Sequence, residues 1–501
     1  MALPKVNVNV QEQTLLTANT EIPFVPAVLL KTKSGPIGTI ETLTSESQFK
    51  ALFGESDETV PSAYAIQTYL RSYSYVLVTR LANENEAKLG TGTVTFGDEI
   101  KLIKIESKYK TDLFNGKEVK LKYDGTNHKL WLDVSSITGK NTISIKEDYI
   151  ADTATSVDLT TVLDKLISSI NVSNLGIILT NEYSDSTTPT VEQLNNGISA
   201  FIEGGDSGNS TPLDDTKVKS MIDLYDLPDR NIDVMIIPEY NGYNVTNYAT
   251  ELALKNNFLV LATAQGKDYT EAIASVDNYT PDTKGSLAIY FPNVYYNNFT
   301  YKLNDSKKGQ YVPVPASIAV LHAYAKTDIQ TKWGAPAGVT RGNLTLVSGL
   351  ETQLSEGMLD ALYSNSIPVN GIYNISGKGF IVWGNKTASA NSNFFDRINI
   401  ARLVKYITRK AYDISWNYIF EPITNAVFIS WQSKVEAMLA SIKTGYGLED
   451  YRVIMDDSIN TPQTIAANQL NGIIRIKPQE VAEYINIDFT VTDTIEVTVE
   501  E

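Results

Sequence analysis

Three strongly apolar runs, "IDVMIIPE" at 232–239, "FLVLATA" at 258–264 and "SLAIYFPNVYY" at 286–296, alternate with helical segments such as "YTEAIASVDNY" at 269–279. A strand that is apolar on both faces is covered on both faces, and strands joined through helices run parallel. The middle of the chain therefore reads as an α/β layer with a largely parallel sheet. Upstream, Thr44 or Ser45 can cap a short helix that Gly54 ends, "PSAYAIQTYLRSY" reads as a second helix, and "YVLVTRL" as a buried strand. With an alternating strand at Val6, Val8 and Val10, the opening reads β-α-α-β.

From about 89 to 180 the texture changes to short alternating runs, "GTVTF", "EIKLIKIES", "EVKLKYDG", "HKLWLDV" and "NTISIKE", separated by turn residues. These predict a β-sandwich inserted into the α/β layer. "GGDSGNST" at 204–211 reads as a flexible boundary. Further on, "VNGIYNISGKGFIVWG" predicts a hairpin turning at Ser376 to Gly379, and two long helices follow, from about 399 to 419 and on to Gly445. "YRVIMD", a helix start at Thr461 and Pro462, and the strand "GIIRIKP" complete a C-terminal α+β unit.

The chain ends as it begins, on a one-faced strand: Ile485, Ile487, Phe489, Val491, Ile495, Val497 and Val499 all fall on odd positions. A terminal strand of this kind must find a sheet edge in its own chain or in a neighbour, and the pattern alone leaves both open.

Little in the chain suggests chemistry. The net charge of −16 opposes a phosphate backbone, so no direct nucleic-acid partner is expected. No cysteine is present, which removes disulfides and thiolate chemistry. No apolar stretch is long enough to span a membrane, and "MALPKVNVNVQEQ" lacks a signal-peptide pattern, so a soluble protein assembled in the cytosol is expected. The only histidines are His128 and His322. "GDSG" at 205–208 resembles the serine motif of trypsin-like proteases, yet Ser207 has no evident imidazole base. His322 and Asp328 lie about 120° apart on a helix and share no face. "GIYNISGKG" departs from a phosphate loop in its glycine spacing and in the Gly379 that follows Lys378. No metal-ligand spacing is found, and no cofactor is expected. An enzyme and an exported surface-layer protein are the rival classes.

The residues "VPASIAVLHAYAKTDIQTKWGAPAG", with "GGDSG" before them and "GFIVWGNKT", "NIARLVKYITRKAYDISWNYIFEP" and "INTPQTIAANQLNGIIRIKPQEVAEYINIDF" after them, resemble the tail sheath proteins of contractile phage tails and related contractile injection systems. The pattern departs at Leu321 or His322, where a typical sheath carries glycine. The resemblance implies a multidomain α/β fold: an N-terminal arm (1–22), the first part of an α/β core (23–88), an inserted β-sandwich (89–185), a subtilisin-like α/β domain (186–365), a C-terminal sheath domain (366–483) and a C-terminal arm (484–501).

It also implies a structural, non-enzymatic subunit of the virion tail, assembled in the host cytoplasm. Its partners would be further copies in stacked rings, an inner tail tube protein, and baseplate and tail terminator proteins. The terminal strands would serve as exchange arms between copies. The family places the C-terminal domain next to the tube, which makes Lys434, Glu436 and Lys443 candidate tube contacts. On that helix Val427, Trp431, Val435 and Leu439 recur every four residues and should face the core.

Overall fold

The computed structural model describes residues 24–97, 100–124, 129–135, 142–148, 159–172, 175–184, 197–226, 232–240, 242–281, 284–298, 310–389 and 393–483. The expected terminal strands, Val6 to Val10 and Ile485 to Val499, and His128 lie outside these residues.

Eight strands make the central sheet: β1 (Pro26–Leu30), β2 (Ile40–Leu43), β3 (Val76–Arg80), β11 (Val234–Ile236), β12 (Leu259–Thr263), β13 (Leu287–Phe291), β17 (Asn370–Ile375) and β18 (Gly379–Trp383). Their spatial order is β18, β17, β13, β12, β11, β1, β3, β2. The six inner strands are parallel, and β2 and β18 close the edges antiparallel. The apolar runs at 232–239, 258–264 and 286–296 supply β11 to β13, as their two-sided hydrophobicity requires.

Side chains that alternate along one strand feed two cores. In β1, Val28 and Leu30 join the core under helices Pro61–Tyr69 and Leu321–Gln330, while Ala27 and Leu29 join the core on the opposite face. That second core lies under helices Asp215–Ile222, Tyr243–Asn256, Tyr269–Val276 and Glu356–Tyr363. Helix Glu46–Phe53 begins at Ser45, whose side chain accepts from the Gln48 amide, and ends at Gly54 with φ of 81°. Among the described residues the opening is β-β-α-α-β: β1 and β2 both precede the first helix, where the alternation predicts only the strand at Val6 to Val10.

The insertion holds two further sheets. One is β4 (Thr91–Phe96), β5 (Ile100–Ser107) and β9 (Ile177–Asn181); the other runs β10 (Ile198–Phe201), β6 (Glu118–Asp124), β7 (Lys129–Ser135), β8 (Thr142–Asp148). They enclose their own core, which helix Leu159–Val172 joins through Leu163, Leu166 and Ile170. Because β10 pairs with β6, this sheet draws on a strand beyond residue 185. A small sheet of β14 (Val294–Asn297), β15 (Tyr311–Val314) and β16 (Val347–Leu350) borders the central layer.

The C-terminal part packs helices Ile398–Trp416 and Asn425–Thr444 on β19 (Leu448–Ile454) and β20 (Ile473–Pro478), a two-stranded antiparallel sheet. Trp431, Val435 and Leu439 are buried there as their spacing predicts; Val427 is only half-buried, and Phe428 fills the first turn instead.

Candidate functional site

The segment Leu321 to Gly338 sits where the α/β layer meets the C-terminal part. Helix Leu321–Gln330 is buried along most of its length, and Trp333, just beyond it, donates from Nε1 to the Gly445 carbonyl at 2.7 Å. A Cβ on Gly445 would lie 2.4 Å from the Trp333 ring, so glycine is what lets the indole lie against the end of helix Asn425–Thr444.

Beside this contact the first half of helix Ile398–Trp416 carries charges inward. Asp328 is ion-paired with Arg402 and lies 3.5 Å from Lys332 Nζ. Asp233, at the entry to β11, is ion-paired with Arg409, lies 3.8 Å from Lys332 and accepts from the Val25 amide at 2.9 Å. Arg402 also lies over the Tyr324 ring, 4.9 Å from its centroid, and Lys405 donates to Ser286 Oγ at 2.7 Å. Thus β11, helix Leu321–Gln330 and the C-terminal helix are tied by one charged cluster.

Burial pushes the Asp328 carboxyl up to about 6, against the pull of Arg402. For Asp233 burial acts in the same sense, but Arg409 and Lys332 outweigh it and hold the carboxyl below its usual value. Asp233 is the one charged residue at the start of the apolar run 232–239, and nothing local names its partners. Its partners Lys332 and Arg409 come from remote segments.

The motifs that invited catalytic readings have structural explanations. His322 is buried against Tyr69 and Tyr73, with ring centroids 5.4 and 5.5 Å away, and burial lowers it to about 4. "GIYNISGKG" forms the β17–β18 turn, with Gly377 and Gly379 at φ of 76° and 84°.

The sequence predicts a flexible boundary over 204–211, and the structure corrects this for residues 205–208. Asp206 bridges to Lys88, Asn115 exchanges side-chain hydrogen bonds with the Gly205 backbone, and the Ser207 carbonyl accepts from buried Arg80 at 2.7 Å. Arg80 also donates to the Gly35 carbonyl at 2.6 Å. The motif is a packed junction between the insertion and the α/β layer; Gly205 and Gly208 allow the close approach, and the serine contributes backbone.

The C-terminal surface is the other notable feature. Among the described residues β19 and β20 pair only with each other, leaving both outer edges open. On helix Asn425–Thr444, Lys434 is exposed and lies over the Tyr418 ring at 4.9 Å, Glu436 accepts from Gln432 Nε2 at 2.8 Å, and Lys443 pairs with Asp450 at 2.9 Å. The helix turn nearby exposes Trp416, Phe420 and Ile429.

The fold as a whole aligns with solved sheath proteins. The sheath tail protein of Desulfitobacterium hafniense aligns over 95% of this chain and 100% of its own with a TM-score of 0.60 and 10% identity. The sheath tail protein of Listeria innocua aligns over 92% and 93% with a TM-score of 0.55 and 12% identity, and the contracted PVC sheath of an extracellular contractile injection system over 98% of both chains with a TM-score of 0.55 and 13% identity.

In sequence the chain is similar to phage tail sheath proteins. The chain is 32% identical to the tail sheath protein of Vibrio phage KVP40 over 229 residues, 46% of this chain and 33% of that protein. It is also 32% identical to the tail sheath protein of Enterobacteria phage T4 over 194 residues, 38% of this chain and 28% of that protein. The match thus spans about a third of the length of these curated relatives. No protein-family model matches the chain.

Proposed function

We propose that the chain is the structural subunit of a contractile tail sheath, polymerising in stacked rings around an inner tail tube and shortening to drive that tube through a target envelope. The observation that carries this is the agreement of two independent likenesses: sequence identity to phage tail sheath proteins, and a fold shared with sheaths along nearly the whole chain. On this reading the subunit acts mechanically, needs no cofactor and belongs to a virion tail assembled in the host cytoplasm. Baseplate and terminator proteins are its further partners. The parallel layer is the subtilisin-like part of the fold, a likeness of topology that carries no hydrolytic site.

The open edges of β19 and β20 suit the terminal arms of neighbouring copies. A two-stranded sheet is marginal alone, and added strands would complete it by main-chain hydrogen bonding. An arm forming about six such bonds at ~0.5–1.5 kcal/mol each contributes roughly 3–9 kcal/mol before ordering costs. Lys434, Glu436 and Lys443 remain the proposed tube contacts. Each also interacts within its own chain, so contact with a tube would be weak and releasable.

Electron microscopy of the full-length chain and of chains lacking residues 1–12 or 484–501 tests the proposal. The full chain should form tubes, and either truncation should give folded protein that does not polymerise. Tubes of normal length from either truncation would rule out the arms, and a full chain that forms no rings or tubes with its tube protein would rule out the sheath.

A further inference from the structure

Helix Ile398–Trp416 lies across the entries of the parallel strands and then runs past them. Ile398, Arg402, Lys405, Arg409, Tyr412 and Trp416 follow one another at spacings of four and three, so they share one face. Lys405 donates to Ser286, just before β13; Arg409 Nη1 donates to the Ile232 carbonyl at 2.6 Å, and the guanidinium pairs with Asp233, just before β11. The face thus steps along the sheet in the order β13, β12, β11, and the next strand in that order is β1. A helical turn of about 5.4 Å matches a strand spacing of about 4.8 Å, so Tyr412 comes level with the entry to β1 and Trp416 lies beyond it. The burial of the face changes at that point. Arg402 and Lys405 are 6% and 7% exposed, whereas Tyr412 and Trp416, packed edge to face with ring centroids 5.7 Å apart, are 49% and 54% exposed. Adjoining exposed aromatic rings mark a surface that something covers. The chain itself enters the fold here: the Val25 amide donates to Asp233 Oδ2 at 2.9 Å and Phe24 is buried, so residue 23 and those before it join the described structure at this edge.

We propose that residues 14–23 of the same chain cover this platform, with Ile22 set on Tyr412 and with Leu15 and Leu16 reaching Trp416. The segment, "TLLTANTEIP", has Glu21 as its one charge and so suits an apolar surface. Trp416 lies about 10 Å along the helix from Arg409, a span that three or four extended residues cover. Tethering favours this occupant over one from another copy, because a short linker holds the segment at millimolar effective concentration. The inference concerns the single chain and stands whether or not that chain is a sheath subunit. Residues 1–12, the proposed exchange arm, lie outside it.

The chain has no cysteine, so Thr20→Cys with Asp413→Cys supplies a unique thiol pair for a short bismaleimide, applied at dilution to the full-length chain. Mass spectrometry should find positions 20 and 413 joined within one chain. The yield should be equal in a chain lacking residues 1–12, which cannot form the exchange arm, so this result is separate from the outcome of the polymerisation test. Tyr412→Ser with Trp416→Ser, added to the cysteine pair, should lower the yield at least several-fold. Leu15→Ser with Leu16→Ser leaves the helix intact and should lower it likewise. Cross-linked dimers in place of the internal link would give the platform to a second copy, and no link at all would leave it bare. An internal yield unchanged by both serine variants would mean a loose tether in place of a docked segment. Each of these three results overturns the proposal.

Discussion

Within residues 204–208 a structural junction and a serine site make opposite predictions, so substitution there discriminates between them. A Cβ on Gly205 would lie 2.1 Å from the Thr111 carbonyl oxygen, about 1.3 Å short of the 3.4 Å at which ordinary contact begins. The opposing atom is backbone and cannot rotate away, so Gly205→Ala must displace the strand junction itself. Overpacking of this kind costs about 1–3 kcal/mol, and loosening the two Asn115 hydrogen bonds, at 2.8 and 2.9 Å, adds ~0.5–1.5 kcal/mol each, for a total of about 2–6 kcal/mol. Ser207 contributes its carbonyl to Arg80, and Ser207→Ala preserves that group, so its effect should stay within ~0.5 kcal/mol. Calorimetry of both variants, with microscopy of their polymers, reads the result. The reasoning fails if Gly205→Ala unfolds with the wild type, or if Ser207→Ala polymerises normally yet the particles lose activity.

Arg402→Met leaves a carboxylate whose side chain is 0% exposed facing only Lys332, and should destabilise the chain by about 3–5 kcal/mol; adding Asp328→Asn should restore much of this, and a double-mutant cycle showing no coupling would contradict the pairing. The Asp328 carboxyl, raised to about 6 from 3.8, binds its proton more tightly when folded, so its contribution is present below pH ~4 and lost as pH rises through about 6. The stability of the wild type relative to Asp328→Asn should therefore fall across that window, with Asp233, Arg402, Lys332 and Tyr69 as the facing groups; a difference independent of pH is the contrary result. Lys434→Glu with Lys443→Glu should lower the yield of tube-bound extended sheaths while tubeless polymers still form, and an unchanged tube-bound yield would remove this helix from the tube contact.

Local pattern carried those parts of the fold in which neighbours in sequence settle the structure. The two-sided apolar runs became β11, β12 and β13, Ser45 and Gly54 bound their helix, and the Gly377 and Gly379 turn closed a hairpin. What escaped was set by distant partners. β1 is five buried residues starting on Pro26, too short for a period to emerge. β10 is a four-residue strand whose place is fixed by β6, some eighty positions earlier. Asp233 stands at the head of an apolar run and is held as a buried ion by Arg409 and Lys332, which lie far off in sequence. Residues 204–208 have the composition of a flexible loop, yet Gly205 and Gly208 serve close backbone contact with Thr111 and Asn83.

The energies of these contacts bear on where a shortening sheath would yield, if the proposed function holds. The seam inside each copy is closed by buried ion pairs whose disruption costs about 3–5 kcal/mol and by Trp333 wedged against Gly445 and Gly447, so the α/β layer and the C-terminal part should move as one body. A terminal strand added to β19 or β20 is comparably strong, at roughly 3–9 kcal/mol, and would hold copies together throughout. Exposed charge contacts such as those of Lys434 are worth ~0–1 kcal/mol each. They are the weakest of the three, and a two-state assembly changes form at the interfaces that cost least to break. Rearrangement would thus fall on lateral and tube contacts between copies, with each subunit's fold and its strand connections retained.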